Sequence, residues 1–223
     1  MTDVVIFGAG QIAQVLSAYL EAAPEFNLLG CVVDRAYLPE GRTLGHLPVV
    51  AWETLEQDFP PGRVKLLGPI SYRDNNKLRR DRYLDAKRRG YDFATYIHPS
   101  SHVLGAEIGE NSIVLEECTI QPHARLGVGS ILWSKVHIGH HTTIGDNCFF
   151  ASFCGIAGNC TVGSCTFFGG HTGLVDNCSV GADCIIGAGT VLHKPLSDGS
   201  VAYAPETRII ENAARRFSRL LLR

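Results

Sequence analysis

From Ile108 to Leu192 the chain repeats a six-residue pattern of apolar and polar positions without interruption. Every sixth residue, fifteen in all, is large and apolar; the next is glycine at 109, 127, 139, 145, 163, 169, 181 and 187. The residue four after each step, from Ser112 to Thr190, is small or β-branched. Such hexads predict a parallel β-helix, in which each short strand turns one large and one small side chain inward. Three hexads close a triangular coil, so residues 18 apart stack about 4.8 Å along the axis. Fifteen steps predict about five coils within residues 98–203.

Residues 4–96 obey other periods. VVIFGAG reads as a strand ending in glycines, QIAQVLSAYLEAA as a helix, and LLGCVVD as a second strand ending at Asp34. A short strand at Pro48–Val50, a helix from about Trp52, the strand RVKLLG and a polar helix over about Asn75–Arg89 follow, with Gly90 closing that helix. The pattern predicts a small parallel, Rossmann-like sheet with helices on its faces over residues 1–97. In the tail, Ile209, Ile210, Phe217, Leu220 and Leu221 recur at helical spacing between arginines. A C-terminal helix over 204–223 is expected to cap the solenoid.

Composition narrows the function classes. Of 223 residues, 45% are apolar and 19% charged, and 20 Lys and Arg against 22 Asp and Glu give a formal charge of −2. That balance supplies no footprint for nucleic acid or an anionic membrane. The basic run Lys77–Arg82 lies in a region of 12 basic and 12 acidic side chains, residues 1–97, and reads as a solvated helix face. No apolar run approaches the roughly 18 residues of a spanning helix, and MTDVVIFGAGQ carries an acid where a signal peptide has basic residues. A soluble cytoplasmic protein is expected. Six of the eight cysteines (Cys118, Cys148, Cys154, Cys160, Cys178 and Cys184) occupy the small inward position and read as packing. Cys31 and Cys165 remain, without a nucleophile's setting.

Histidines are the main titratable candidates. His140 and His141 follow Ile138 on one corner; His123 lies eighteen residues below His141, and Asn159 and Asn177 above it. Gly158 stacks over His140, which predicts open space above the imidazole and a nearby backbone N–H. Imidazole titrates near neutrality and suits removal of a proton from an attacking amine or hydroxyl. A surface decoration is the competing reading. His137 points out from a strand, His171 lies on another corner, and His98 and His102 at the domain junction read as structural. Gly8-Ala9-Gly10 partly matches a dinucleotide-type glycine turn, whose helix-start amides hold phosphate, and Asp34 stands where an acid binds a ribose hydroxyl. About 95 residues are too few for both halves of a dinucleotide fold, so a nucleotide-sugar, or a plain tight turn, fits better.

A glycine-rich βαβ domain followed by hexads, from Val4 to about Thr207, resembles the bacterial sugar O-acyltransferases of the sialic-acid O-acetyltransferase type. It is also similar to the nucleotide-amino-sugar N-acetyltransferases of the bacillosamine and perosamine pathways. The resemblance implies a left-handed β-helix assembled as a homotrimer, with no metal and acetyl-CoA in the groove between prisms. Gly158, Asn159, Phe149 and Ala188 are expected to line that groove, while Gly8, Gly10 and Asp34 bind the nucleotide-sugar. The family's base lies in the pattern aliphatic, any, His, often Glu, which Ile138-Gly139-His140-His141 matches at His140. Three departures stand out: His141 replaces the Glu, Ile12 replaces a His of the glycine turn, and Tyr203–Thr207 differs from the usual closing Gly-any-Pro-Ala-Lys. A subgroup carrying LWS-x-x-HIGHH-x-TIGD is closer, matching Leu132–Asp146.

The implied function is direct acetyl transfer to the amino group of a nucleotide-linked sugar for bacterial surface polysaccharide. His140 would be the general base and the Gly158 N–H the oxyanion donor. Three alternatives stay open: sugar O-acetylation, a ligand-binding module on a β-helix trimerisation stalk, and a metal-dependent hydratase using His123, His141 and His171.

Overall fold

The computed structural model describes residues 1–70, 72–207, 209 and 211. The expected C-terminal helix, with Ile210, Phe217, Leu220 and Leu221, lies outside the described residues; positions 204–207 have no regular structure.

The N-terminal domain is built as its periods predict. It contains β1 (Thr2–Phe7), α1 (Gln11–Glu21), β2 (Phe26–Val33), β3 (Thr43–Leu44), β4 (Leu47–Ala51), α2 (Leu55–Asp58), β5 (Lys65–Leu67), α3 (Lys77–Arg88) and β6 (Asp92–Phe93). The sheet order is β3-β4-β2-β1-β5-β6, parallel except for the β3–β4 edge pair. Val4 and Ile6 face Leu16 and Leu20 of α1, while Val5 and Phe7 face Trp52, Leu55 and Ala86 on the other side. Both faces are covered, which is why these strands read as unbroken apolar runs. Gly90, at φ +83°, closes α3.

The second region is a left-handed parallel β-helix of two-residue strands on three faces. The first face runs from Tyr96–Ile97 to Val201–Ala202, the second from His102–Val103 to Val191–Leu192, and the third from Glu107–Ile108 to Ser179–Val180. Most coils hold 18 residues, as in Ile131 paired with Phe149 and His137 with Gly155. Eighteen strands make six coils, not the five expected, and the solenoid starts at Tyr96 rather than 98. The reason is local: Val103 and Ile108 are five apart, so the first coil spans 17 residues, Tyr96 pairing with Ile113. A strict six-residue step cannot cross that deletion.

The inward positions form a dry core. Cys118, Cys148 and Cys184 are fully buried, and Phe150 stacks on Phe168 at 4.7 Å. Burial pushes the Cys148 thiol up to about 12 and the Cys118 thiol up to about 11, so these are protonated packing groups. Each corner carries a column of residues in the left-handed region. One is Glu117, Lys135, Phe153 and His171; the second is His123, His141, Asn159 and Asn177; the third is Asn111, Asn147, Cys165 and Asp183. An L-residue pays a steric penalty there, which stacked backbone bonds offset, as in Asn159 N–H donating to His140 O at 2.9 Å.

The N-terminal domain sits on the first face and the corner between third and first. Ile12, Val15 and Leu16 of α1 line an apolar cleft with Ile113, Ile131 and Trp133, which accounts for Ile12. The Tyr19 hydroxyl donates to Glu116 Oε2 at 2.6 Å, and Tyr72 packs on Phe149 and Phe167 at 5.1 and 4.8 Å. Here α3 overturns its reading as a solvated face. Arg79 is 1% exposed, and its guanidinium donates to the carbonyls of Gly129, Asn147 and Cys148 on the β-helix and to Ile70 O and Asn76 Oδ1. Burial lowers its pKa to about 10, which still leaves it a cation at neutral pH. The basic run hid an inter-domain strut because Arg79 stands among other charged side chains, Lys77, Arg80, Asp81 and Arg82, and nothing in that run sets it apart from them.

Candidate active site

The corner between the second and third faces gathers the chemistry. His140 and His141 are exposed, and their Nδ1 atoms are 3.1 Å apart with rings nearly perpendicular. His123, one coil below, packs against His141 with ring centroids 4.7 Å apart and the rings tilted by 36°. The backbone N–H of His140 donates to Gln121 Oε1 at 2.9 Å, which pins the base of the side chain. Stacking thus supplies two columns side by side: Pro122, His140, Gly158 and Asp176, and next to it His123, His141, Asn159 and Asn177.

Two expectations about Gly158 need correction. The space over His140 is not open, because the imidazole itself fills it: a Cβ at Gly158 would stand 2.6 Å from Cε1 and 2.7 Å from Nε2. The Gly158 N–H is not free either; it donates to Asp176 Oδ1 at 3.0 Å. An oxyanion therefore cannot take this donor without displacing Asp176. Gln121 and Asp176 were missed in the sequence, although Asp176 lies one 18-residue coil above Gly158 and the stacking rule reaches it.

Other predicted residues scatter. Phe149, expected in the ligand groove, is buried beneath the N-terminal domain, between Phe167 and Tyr72. Its outward position on the first face is what the domain covers. Ala188 is exposed on the corner between first and second faces, not beside His140. His171 stands on that same corner, stacked on Phe153 at 4.8 Å, so within one chain it does not join His123 and His141. Among the described residues no three His, Cys, Asp or Glu side chains are grouped to hold a metal ion. Asn159 is exposed one coil above His141.

The glycine turn is formed as expected. Gly8 is at φ +128° with its N–H on Val32 O, and Gly10 precedes α1 with no side-chain cap. The N-cap residue thus supplies no side-chain partner to the first-turn amides. Asp34 directly follows β2, but its Oδ1 is paired with Arg82 at 2.6 Å, a partner not read from the sequence.

No family model matches the chain, and no curated protein matches its sequence. Solved structures do. A variant of perosamine N-acetyltransferase from Caulobacter crescentus, in complex with CoA and GDP-perosamine, is 26% identical over 95% of this chain and 98% of that one, with a TM-score of 0.82. PerB from the same organism, also with CoA and GDP-perosamine, gives 25% identity over 94% and 98%, with a TM-score of 0.81. The acetyltransferase domain of PglB from Neisseria gonorrhoeae, in complex with acetyl coenzyme A, gives 20% over 93% and 98%, with a TM-score of 0.80, and supports the fold. Among the described residues no helix is long and apolar enough to cross a membrane.

Proposed function

We propose that this chain is an acetyl-CoA-dependent acetyltransferase acting on the amino group of a nucleotide-linked sugar, working as a homotrimer with His140 as general base. The observation that carries the reading is the exposed, hydrogen-bonded His140 on the corner of a chain similar over 95% of its length to an enzyme bound to CoA and GDP-perosamine.

The corner suits the co-substrate. Gly155, beside it on the second face, has open space where a side chain would stand. Lys194, exposed two residues after Leu192 where the chain leaves the second face, is a cation toward that end of the solenoid. Gly158 and Asn159 would border the arm between them, and Lys194 would meet a phosphate. Acetyl-CoA, when bound, supplies an activated acetyl thioester. His140 Nε2 accepts the proton that the sugar amine loses as its nitrogen attacks, then returns it to the departing sulfur, so the enzyme ends unchanged. Gly8 and Gly10, with the first-turn amides of α1, would take the sugar's diphosphate, and Asp34, held by Arg82, the ribose.

The topology supports an assembly of more than one copy, which we read as the homotrimer. The glycine turn adjoins the first face, whereas His140 lies on the opposite corner, between the second and third. A sugar held at Gly8 and Gly10 of one copy reaches His140 only in another. Transfer to amine rather than hydroxyl rests on the N-acetyltransferases among the similar structures. The test is a thermal-shift titration with acetyl-CoA and GDP-, UDP- and dTDP-amino-sugars, then turnover on the sugar that binds. His140→Ala is expected to cost about 10²- to 10⁴-fold in kcat/KM. Wild-type turnover in that variant would sink the proposal.

A further inference from the structure

A base must present an unprotonated Nε2, so its proton must sit on Nδ1. Free imidazole has no reason to choose that arrangement; the protein must impose it through whatever Nδ1 touches. At His140 that partner is another histidine. The two Nδ1 atoms stand 3.1 Å apart, which admits one proton between them: one nitrogen donates and the other accepts. Among the described residues His140 Nε2 has no hydrogen-bond partner, so Nδ1 is the nitrogen that the fold addresses. His141 is itself fixed. It sits at φ +59°, its N–H donates to Pro122 O, and its ring packs at a tilt against His123.

We infer that His141 is a positioning residue that sets the tautomer of His140, accepting the Nδ1–H at its own Nδ1 so that Nε2 of His140 is left free to act as base. This rests on the reading of His140 as general base. When Nε2 takes the proton of the attacking amine, the positive charge of the imidazolium is shared with His141 through that hydrogen bond. The departing sulfur then recovers the proton from Nε2, and His141 Nδ1 is left as it was. A neutral acceptor supports that charge less than a carboxylate would. The pair therefore stabilises that charge less than a histidine backed by an acid would. The groups facing it are His123 from the coil below and Asp176 above, the latter committed to the Gly158 N–H, with neutral Gln121 alongside.

Three substitutions separate hydrogen bonding from packing. His141→Asn places an acceptor oxygen on the atom position that Nδ1 now holds, and asparagine already occupies the same left-handed corner position at 159 and 177. His141→Asp places a carboxylate there. His141→Phe keeps a ring over His123 and offers no acceptor. With the sugar that shows turnover, His141→Phe should lower kcat at least tenfold at nearly unchanged KM for both substrates. His141→Asn should recover most of that loss, and His141→Asp should move the acid limb of the kcat/KM profile to higher pH. Nitrogen-15 spectra of the wild type should show His140 protonated at Nδ1, and His141→Phe should show it at Nε2. Wild-type kcat and an unmoved profile in His141→Phe, or Nε2 protonation of His140 in the wild type, would overturn the inference. If His140→Ala is inactive while His141→Phe is normal, this inference alone fails; if His140→Ala is active, the base assignment fails first.

Discussion

The ring of His140 lies in the volume that any side chain at Gly158 would occupy, one coil above. The contact is between a glycine Cα and the far end of a rotatable side chain, so a methyl group there displaces the imidazole rather than the coil. Gly158→Ala is expected to lower kcat/KM by roughly 100-fold, the scale of a displacement of about 1 Å in a reacting group. The melting temperature should stay within a few degrees of wild type. A variant that keeps full turnover would show that His140 works from another rotamer.

Lys194→Ala removes the exposed cation that follows Leu192 where the chain leaves the second face. One exposed charge against a phosphate is worth about 1 kcal/mol, so the KM for acetyl-CoA should rise about fivefold. The kcat and the KM for the sugar should stay unchanged. Steady-state kinetics in low and high salt check this, since the difference should shrink as salt screens the contact.

Arg79→Met tests the junction between domains. Methionine fills much of the space but leaves the carbonyls of Gly129 and Asn147 without their guanidinium partner. Buried acceptors orphaned in this way cost about 2–4 kcal/mol in total. Urea unfolding should show that loss, and the parting of the two domains into separate transitions would locate it at the junction.

Glu116 gives the same junction a pH dependence. Burial raises its pKa, but the hydrogen bonds from Tyr19 and Ser134 outweigh that and hold the carboxyl below the ordinary carboxylate range. The partner hydroxyl of Tyr19 is pushed up to about 12, chiefly by that same bond. A carboxylate with a lowered folded pKa adds stability above its unfolded value, near 4.3, and loses it as pH falls through the folded value. Glu116→Gln should therefore cost about 1–2 kcal/mol at pH 7, and the gap to wild type should close below about pH 4. A gap independent of pH would mean that shape, not charge, holds the contact.

The solenoid was legible because its rule is strictly periodic. Each of the inward residues from Ser112 to Thr190 is buried as the stepping demands. The first coil escaped because one residue is missing between Val103 and Ile108, and a fixed step has no way to register a deletion. The His140–His141 corner was legible for the same reason as the core, since stacking places residues 18 apart in contact. What the rule does not see is direction and partnership. Phe149 looked available because it points outward, yet outward on the first face means beneath another domain. Asp34 looked free because Arg82, forty-eight positions away, is brought to it only by the packing of α3 on the sheet. Arg79 is the sharpest case, since no periodicity marks a buried arginine whose partners are main-chain carbonyls.

Those carbonyls have a bearing on how this chain can vary over time. The β-helix meets Arg79 through atoms that every amino acid possesses, so the receiving side of the junction is largely indifferent to which side chains stand at 147 and 148. Sequence drift along the coils leaves the docking site intact as long as the coil closes. At this contact the demand on side-chain identity falls on Arg79, whereas Tyr19 with Glu116 and Tyr72 with Phe149 and Phe167 hold the rest of the junction through side chains of both domains. A mutational scan should find this one contact asymmetric, intolerant at Arg79 and tolerant of replacements across from it that leave the coil closed.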